Sequence, residues 1–193
     1  MSAMSKVTIY YLEMLDQGQL RASRRSHPDA TIQRAEIPNP EFNRFLYSAV
    51  GGEWHWHERL SWNYARWMEW LDRDEQETWV AYVRGTPAGY VDLEHQPTGS
   101  VEIAYFGLLP QFIGQGLGGQ LLTFGIQRAW DLGAQRVWVH TCSLDHPSAL
   151  QNYQSRGLQL YKQEDKWVLL PQQTPGPWPN AQRAPFNISR IQE

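Results

Sequence analysis

The residues best suited to chemistry sit where glycines meet the start of a helix. Residues 111–119 read Gln-Phe-Ile-Gly-Gln-Gly-Leu-Gly-Gly, with four glycines between positions 114 and 119. Without a Cβ, backbone can approach a ligand closely. The first N–H groups of a helix have no internal acceptor and lie at the positive end of its dipole. Together these features make an anion cradle, although a glycine-softened turn would read the same way. The spacing Gly114-x-Gly116-x-Gly118 is not that of the dinucleotide fingerprint, and no Lys-Ser or Lys-Thr follows as in a P-loop. Glu102 is the next candidate, a lone acid in the apolar run from Val101 to Pro110. It could accept a proton from a substrate, or sit solvated at a strand mouth. Asp92 and Glu94 are two apart and share one strand face, so either could serve as base or orient a substrate. His140 is a further candidate, or a packed strand residue. His55 and His57 are also two apart, but a third ligand is not evident, so no metal site is expected. Cys142, the one cysteine, is expected to pack rather than attack.

The elements that must position these residues follow from periodicity. Val101–Pro110 lacks helical spacing and reads as a buried strand, ended by Pro110. After the glycines, Leu117, Leu121, Leu122, Ile126, Ala129 and Trp130 recur at helical steps. Earlier, Val7–Leu12 reads as a strand, Asp16–Asp29 as a loop and Ala30–Ile37 as a short strand. Asn39 and Pro40 start a helix that stops at Gly51-Gly52. Ser61 is expected to cap a second helix reaching Asp72. Thr78–Val83 and Ala88–Glu94 form a hairpin around residues 84–87, followed by the Val101 strand. Gly133 terminates the long helix, and Gln135–Thr141 is the next strand. The helical crossover favours parallel pairing between it and the Val101 strand. Asp145 or His146 is expected to cap a last helix that ends at Gly157. A final hairpin is expected around Glu164-Asp165. Residues 171–193 form a Pro/Gln-rich tail, either disordered or lying on a partner. The fold class is therefore mixed α/β (α+β), a mainly antiparallel central sheet with helices on both faces.

Composition narrows the function classes. The chain has 193 residues, 41% of them hydrophobic, and a formal net charge of −3. That length suits one domain over 1–170 plus the tail, and the charge suggests neither nucleic acid nor an anionic membrane as partner. No apolar run approaches the ~20 residues that span a bilayer. With one cysteine and no secretory leader visible, a cytoplasmic protein is expected. The ten tryptophans are unusual, and Trp54, Trp56, Trp62, Trp67 and Trp70 crowd into one segment.

Gln111-x-x-Gly114-x-Gly116 after an apolar strand resembles the acyl-CoA pyrophosphate loop of the GNAT superfamily of N-acetyltransferases. The block from Asp145 to Leu158, with Ala149, Tyr153 and Gly157 at their intervals, resembles that family's later segment. The order of the two blocks, with a strand between, strengthens the resemblance, which covers 78–170. It implies a central strand pair that splays apart, with acetyl-CoA entering the gap as co-substrate.

The resemblance also implies roles. Gln111, Gly114, Gln115, Gly116, Leu117, Gly118 and Gly119 would hold the diphosphate. Phe106, Gly107 and Leu108, at a bulge, would hold the pantetheine arm and thioester, with Asn152 close by. Glu102 would be the base and Tyr153 the acid that protonates the departing thiolate. The early helices and their connecting loop would form the acceptor side, so Trp54, Trp56 and Glu94 are expected substrate contacts. There are departures. His146 stands where Asn is common, and Gln111, Phe112 and Ile113 leave the loop without a cation. Arg128, Arg136 and Arg156 are candidates for reaching an adenosine 3′-phosphate. The implied function is direct acetyl transfer to the primary amine of a small molecule. A non-catalytic acyl-CoA-binding or sensing module and a protein N-acetyltransferase are the alternatives, and a homodimer is left open.

Overall fold

The structure is a computed structural model that describes residues 2–171 and 175–177. Its strands are β1 (Ser2–Met14), β2 (Ala30–Arg34), β3 (Gln76–Val83), β4 (Thr86–His95), β5 (Ser100–Leu108), β6 (Arg136–Cys142) and β7 (Gln159–Pro171). The helices are α1 (Pro40–Gly51), α2 (Tyr64–Leu71), α3 (Leu117–Asp131) and α4 (Ala149–Ser155). All seven strands join one sheet in the order β2-β3-β4-β5-β6-β1-β7. Every pairing is antiparallel except β5 with β6.

Two features of this sheet position the site. The first is a register shift between β4 and β5. Asp92 lies opposite Tyr105, but Leu93 lies opposite Ile103, so Ala104 is the extra residue of a bulge. Strict alternation would put Glu102 and Tyr105 on opposite faces. The bulge puts them on one face, with Asp92 and Glu94. The bulge was expected at Gly107, which instead pairs in register with Tyr90. A Cβ at Gly107 would come within 2.5 Å of Val50, so glycine there lets α1 approach the sheet.

The second feature is the brevity of the parallel contact. It holds only Ser100 with Arg136, Val101 with Val137 and Glu102 with Trp138. Beyond these pairs β5 and β6 diverge, as the resemblance implied. The core explains what keeps them apart without collapse. Leu117, Leu121, Leu122 and Ile126 of α3 are fully buried against one face of the sheet, where Gly125 abuts Val91. α1 covers the other face through Leu46, Ala49 and Val50. Helices thus lie on both faces.

Several local expectations are corrected. The final hairpin is absent, and β7 runs straight through Glu164 and Asp165. β1 gives it a partner along its whole length. Thr8 donates to Asp165 at 2.7 Å and Tyr11 donates to Glu164 at 3.0 Å, which satisfies the acids inside a strand. The same pairing makes β1 longer than Val7–Leu12. β2 stops at Arg34, short of Ile37. Asn63, not Ser61, caps α2, its Oδ1 accepting from the Arg66 amide at 2.9 Å. Ser61 closes a short 3₁₀ turn at Glu58–Ser61. α4 starts after Ser148 without a side-chain cap. Asp145 turns back instead, accepting from Thr141 Oγ1 at 2.6 Å and the Cys142 amide at 2.9 Å. Asn39 caps α1 as expected, at 2.8 Å from the Phe42 amide. The expected tail lies largely outside the described residues. Among the described residues no helix is long and apolar enough to cross a membrane.

Candidate active site

The divergence of β5 and β6 opens a cavity of about 850 Å³. Its walls include Ile103–Leu108 of β5 and Val139–Cys142 of β6, the stretches that no longer pair with each other. Strand edges released in this way carry N–H and C=O groups that need partners. A ligand with amide groups can provide them.

At one end the cavity meets the glycine loop. Gly114, Gly116, Gly118 and Gly119 line it, while Gln111, Gln115 and Leu117 do not. Gly114 and Gly116 have φ of 87° and 86°, which side-chain-bearing residues rarely adopt. Gly116 caps α3 without a side-chain bond, and the amides of residues 117–119 have no acceptor among the described residues. Leu117 is buried beneath the loop, and Gln115 donates to the Gln111 carbonyl at 2.6 Å. Both support the loop from behind. The loop thus presents backbone N–H groups that have no acceptor among the described residues.

The expected lack of a cation beside the loop is corrected by tertiary structure. Arg156, from the C-terminal end of α4, lines the cavity beside Gly119, and so does Arg25, packed on Gly116. Arg25 belongs to the loop between β1 and β2. That loop is held on α3 by the Ser23 amide to Thr123 at 3.0 Å and the His27 amide to Gln120 at 2.8 Å. Local sequence around the glycines carries no trace of this. Arg128 pairs with Glu77 at 2.7 Å and Arg136 with Glu13 at 2.7 Å, so both are committed elsewhere.

Midway, Tyr153 reaches the cavity from α4. It is 5% exposed, and its ring meets Phe106 edge-on, 5.9 Å between centroids. Burial pushes its phenol well above the usual tyrosine range, with the Asp145 charge adding to the rise. The hydroxyl therefore stays protonated and makes no hydrogen bond among the described residues. Asn152, Gly107 and Leu108 also line the cavity. Cys142 lies here too, but burial pushes its thiol up to about 11, so it is not a thiolate at neutral pH.

The other end is aromatic. Trp54 and Trp56 line the cavity with Tyr47 and Tyr105. Trp56 lies 4.9 Å from Tyr105 and 5.6 Å from Tyr47, ring to ring, and its Nε1 donates to Asp145 at 3.3 Å. Trp62, Trp67 and Trp70 do something different. They surround Arg59, whose guanidinium lies 3.9 Å from the Trp70 ring and 4.2 Å from that of Tyr105. Three of the five clustered tryptophans therefore pack around an internal cation.

The four acid-base candidates separate. Asp92 is buried, accepts from Thr78 at 2.7 Å and faces Arg59 at 3.9 Å. Glu94 pairs with Arg73 at 2.9 Å. Neither lines the cavity. Glu102 does not line it either, but its Oε1 lies 3.3 Å from Nδ1 of His140, which does. Its Oε2 accepts from Gln96 at 3.1 Å, and Gln96 in turn accepts from Trp138 at 3.1 Å. The imidazole is held between rings, 6.0 Å from both Trp138 and Tyr11. The hydrogen bond to Glu102 raises the His140 pKa above the usual imidazole range. Burial opposes this, and the charges of Glu102, Asp145 and Glu58 add to it. Periodicity alone places His140 on a strand; only the tertiary pairing gives it a carboxylate.

A sheet split between β5 and β6, with a glycine loop at the mouth of the gap, is the arrangement the family resemblance implies. The family profile of the Acetyltransferase (GNAT) family matches residues 36–158, and the chain belongs to that family of N-acetyltransferases. Among solved structures, a GCN5-related N-acetyltransferase from Sphaerobacter thermophilus matches with a TM-score of 0.62 at 14% identity, over 91% of this chain and 56% of that one. A functionally unknown conserved protein from Staphylococcus epidermidis matches with a TM-score of 0.57 at 20% identity, over 83% of this chain and 60% of that one. An aminoglycoside acetyltransferase from an uncultured soil metagenomic sample, in complex with sisomicin, matches with a TM-score of 0.56 at 16% identity, over 66% of this chain and 87% of that one. At such identities the likeness is one of fold. The chain spans less than two thirds of the Sphaerobacter and Staphylococcus proteins. No curated protein matches the chain.

Proposed function

We propose that the chain is an acetyl-CoA-dependent N-acetyltransferase that acts on the primary amine of a small molecule, by direct transfer in a ternary complex. The observation that carries this reading is the cavity between β5 and β6, which joins the free loop amides to the Glu102–His140 pair and the aromatic wall. Acetyl-CoA, when bound, supplies an activated thioester. The residues present fit such a group. The amides of residues 117–119, without acceptors among the described residues, are available to hold a diphosphate, and a Cβ at Gly119 would crowd Ser23 and Arg156 at 2.7 and 2.8 Å. The released edges of β5 and β6, near Asn152, suit the amides of a pantetheine arm.

The chain's own side chains divide the proton transfers. His140, with Nδ1–H donated to Glu102, keeps Nε2 for the proton of the attacking amine. Glu102 orients the ring and stabilises its charged form. Tyr153, held protonated by burial, is the acid for the departing thiolate. The neutral thiol of Cys142 supports direct transfer over an acyl-enzyme. The aromatic wall of Trp54, Trp56 and Tyr105 suits a small acceptor, and the likeness to an aminoglycoside acetyltransferase supports that substrate size. The lone cysteine supports a cytoplasmic setting.

The experiment is a thermal-shift series with acetyl-CoA, CoA and ATP, followed by CoA release over a panel of small amines. Stabilisation by the first two ligands and turnover on an amine are expected. A shift with ATP alone would end the reading, and binding without turnover on any amine would favour a sensing module.

A further inference from the structure

The positive charge beside the glycine loop is the feature the reading above leaves unused. Arg25 and Arg156 come from opposite ends of the sequence, 131 positions apart by number (156 − 25), and meet at the N-terminus of α3. Both line the cavity, and neither forms an ion pair with any carboxylate among the described residues. The Nε of Arg156 is buried without a hydrogen-bond partner. Desolvation of its guanidinium lowers the Arg156 pKa, and no carboxylate among the described residues pairs with it. The two segments are also tied together, since the Arg21 amide donates to the Arg156 carbonyl at 3.0 Å. Two arginines lining the cavity beside a helix N-terminus, whose first N–H groups have no acceptor among the described residues, suit a multiply charged anion.

We propose that Arg25 and Arg156 bind a phosphate group of the acyl carrier, supplying the cationic help that the 111–119 segment itself lacks. The affinity of the carrier then depends on the loop between β1 and β2 as well as on the glycines. This inference rests on the acetyl-CoA reading, and its test separates the two.

The test measures binding of acetyl-CoA, acetyl-dephospho-CoA and S-acetylpantetheine to the intact chain and to Arg25→Gln, Arg156→Gln and Arg25→Lys, by calorimetry at two salt concentrations. Each Gln variant is expected to bind acetyl-CoA about tenfold more weakly, the scale of a lost charge-assisted hydrogen bond. Binding of S-acetylpantetheine, which has no phosphate, is expected to be unchanged, and Arg25→Lys is expected to retain part of the affinity. The salt dependence should shrink in the Gln variants. A loss confined to acetyl-CoA assigns the 3′-phosphate, and one shared with acetyl-dephospho-CoA assigns the diphosphate; either supports the proposal. Unchanged affinity for acetyl-CoA, or an equal loss for S-acetylpantetheine, overturns it while leaving the acetyltransferase reading intact. Failure of the unaltered chain to bind any of the three overturns both.

Discussion

Oε1 of Glu102 lies 3.3 Å from Nδ1 of His140, across the last pairs before β5 and β6 separate. The carboxylate sits behind the cavity and the imidazole faces it. A proton acceptor in this arrangement works only when the imidazole is neutral. The hydrogen bond that His140 donates to Glu102 raises the His140 pKa, so the acid limb of kcat/KM should lie above the ~6.5 of a free imidazole. Glu102→Gln removes the largest cause of the rise. The limb should move to lower pH while the plateau falls. His140→Ala should lower the plateau roughly 10²-fold or more, the usual scale of lost acid-base catalysis. A pH profile of Glu102→Gln with its limb in the original place would refute the coupling.

Tyr153 is buried against Phe106 with its phenol shifted upward. Tyr153→Phe keeps the packing and removes only the oxygen. It should lower kcat roughly 10²-fold, with little change in the affinity for CoA. The native protein should show no alkaline limb from this residue below pH ~10, the ordinary tyrosine value. Steady-state kinetics together with CoA binding would check both. Unchanged kcat in the Phe variant would remove Tyr153 from the chemistry.

Arg59 and Asp92 form a buried pair whose role is in stability. Burial raises Asp92 to about 6, with Arg59 and the Thr78 hydroxyl holding it down. The folded value lies above the unfolded one of ~3.9. The contribution is therefore fully present below pH ~4 and is lost as the pH rises through about 6. Arg59→Met takes away the counterion and the rings' cation. Unfolding by denaturant should show a loss of about 3–5 kcal/mol at pH 8, the scale for one partner of a buried pair, and a smaller loss at pH 5. Equal losses at both pH values would mean that the charge of Asp92 is not involved.

Gly51 ends α1 against the indole of Trp56, and a Cβ there would clash with the indole carbons Cγ, Cδ2 and Cε3. Gly51→Ala must displace Trp56 from Tyr47, Tyr105 and Asp145. It should destabilise the fold by about 1–3 kcal/mol, as overpacking does, and raise the KM for the amine while sparing acetyl-CoA binding. Equal effects on both substrates would remove Trp56 from the acceptor wall.

What the sequence determined by itself was local. The glycine spacing at 114–119, the helical repeat after Leu117, the Asn39 cap and the strand containing Glu102 all rest on interactions within a few residues, and periodicity reports those directly. Its motif blocks also carried the family. The extents of β1 and β7 were not legible locally because a strand's length is set by its partner: β7 passes through two acids because β1 lies beside it. The site's electrostatics were likewise settled by tertiary structure. Glu102 meets His140 through a parallel pairing 36 positions apart by number (138 − 102). Arg25 reaches the glycine loop across the fold, and Arg59 fills a box made by Trp62, Trp70 and Tyr105. Charges act through space over a few ångströms, and only folding decides which residues come that close.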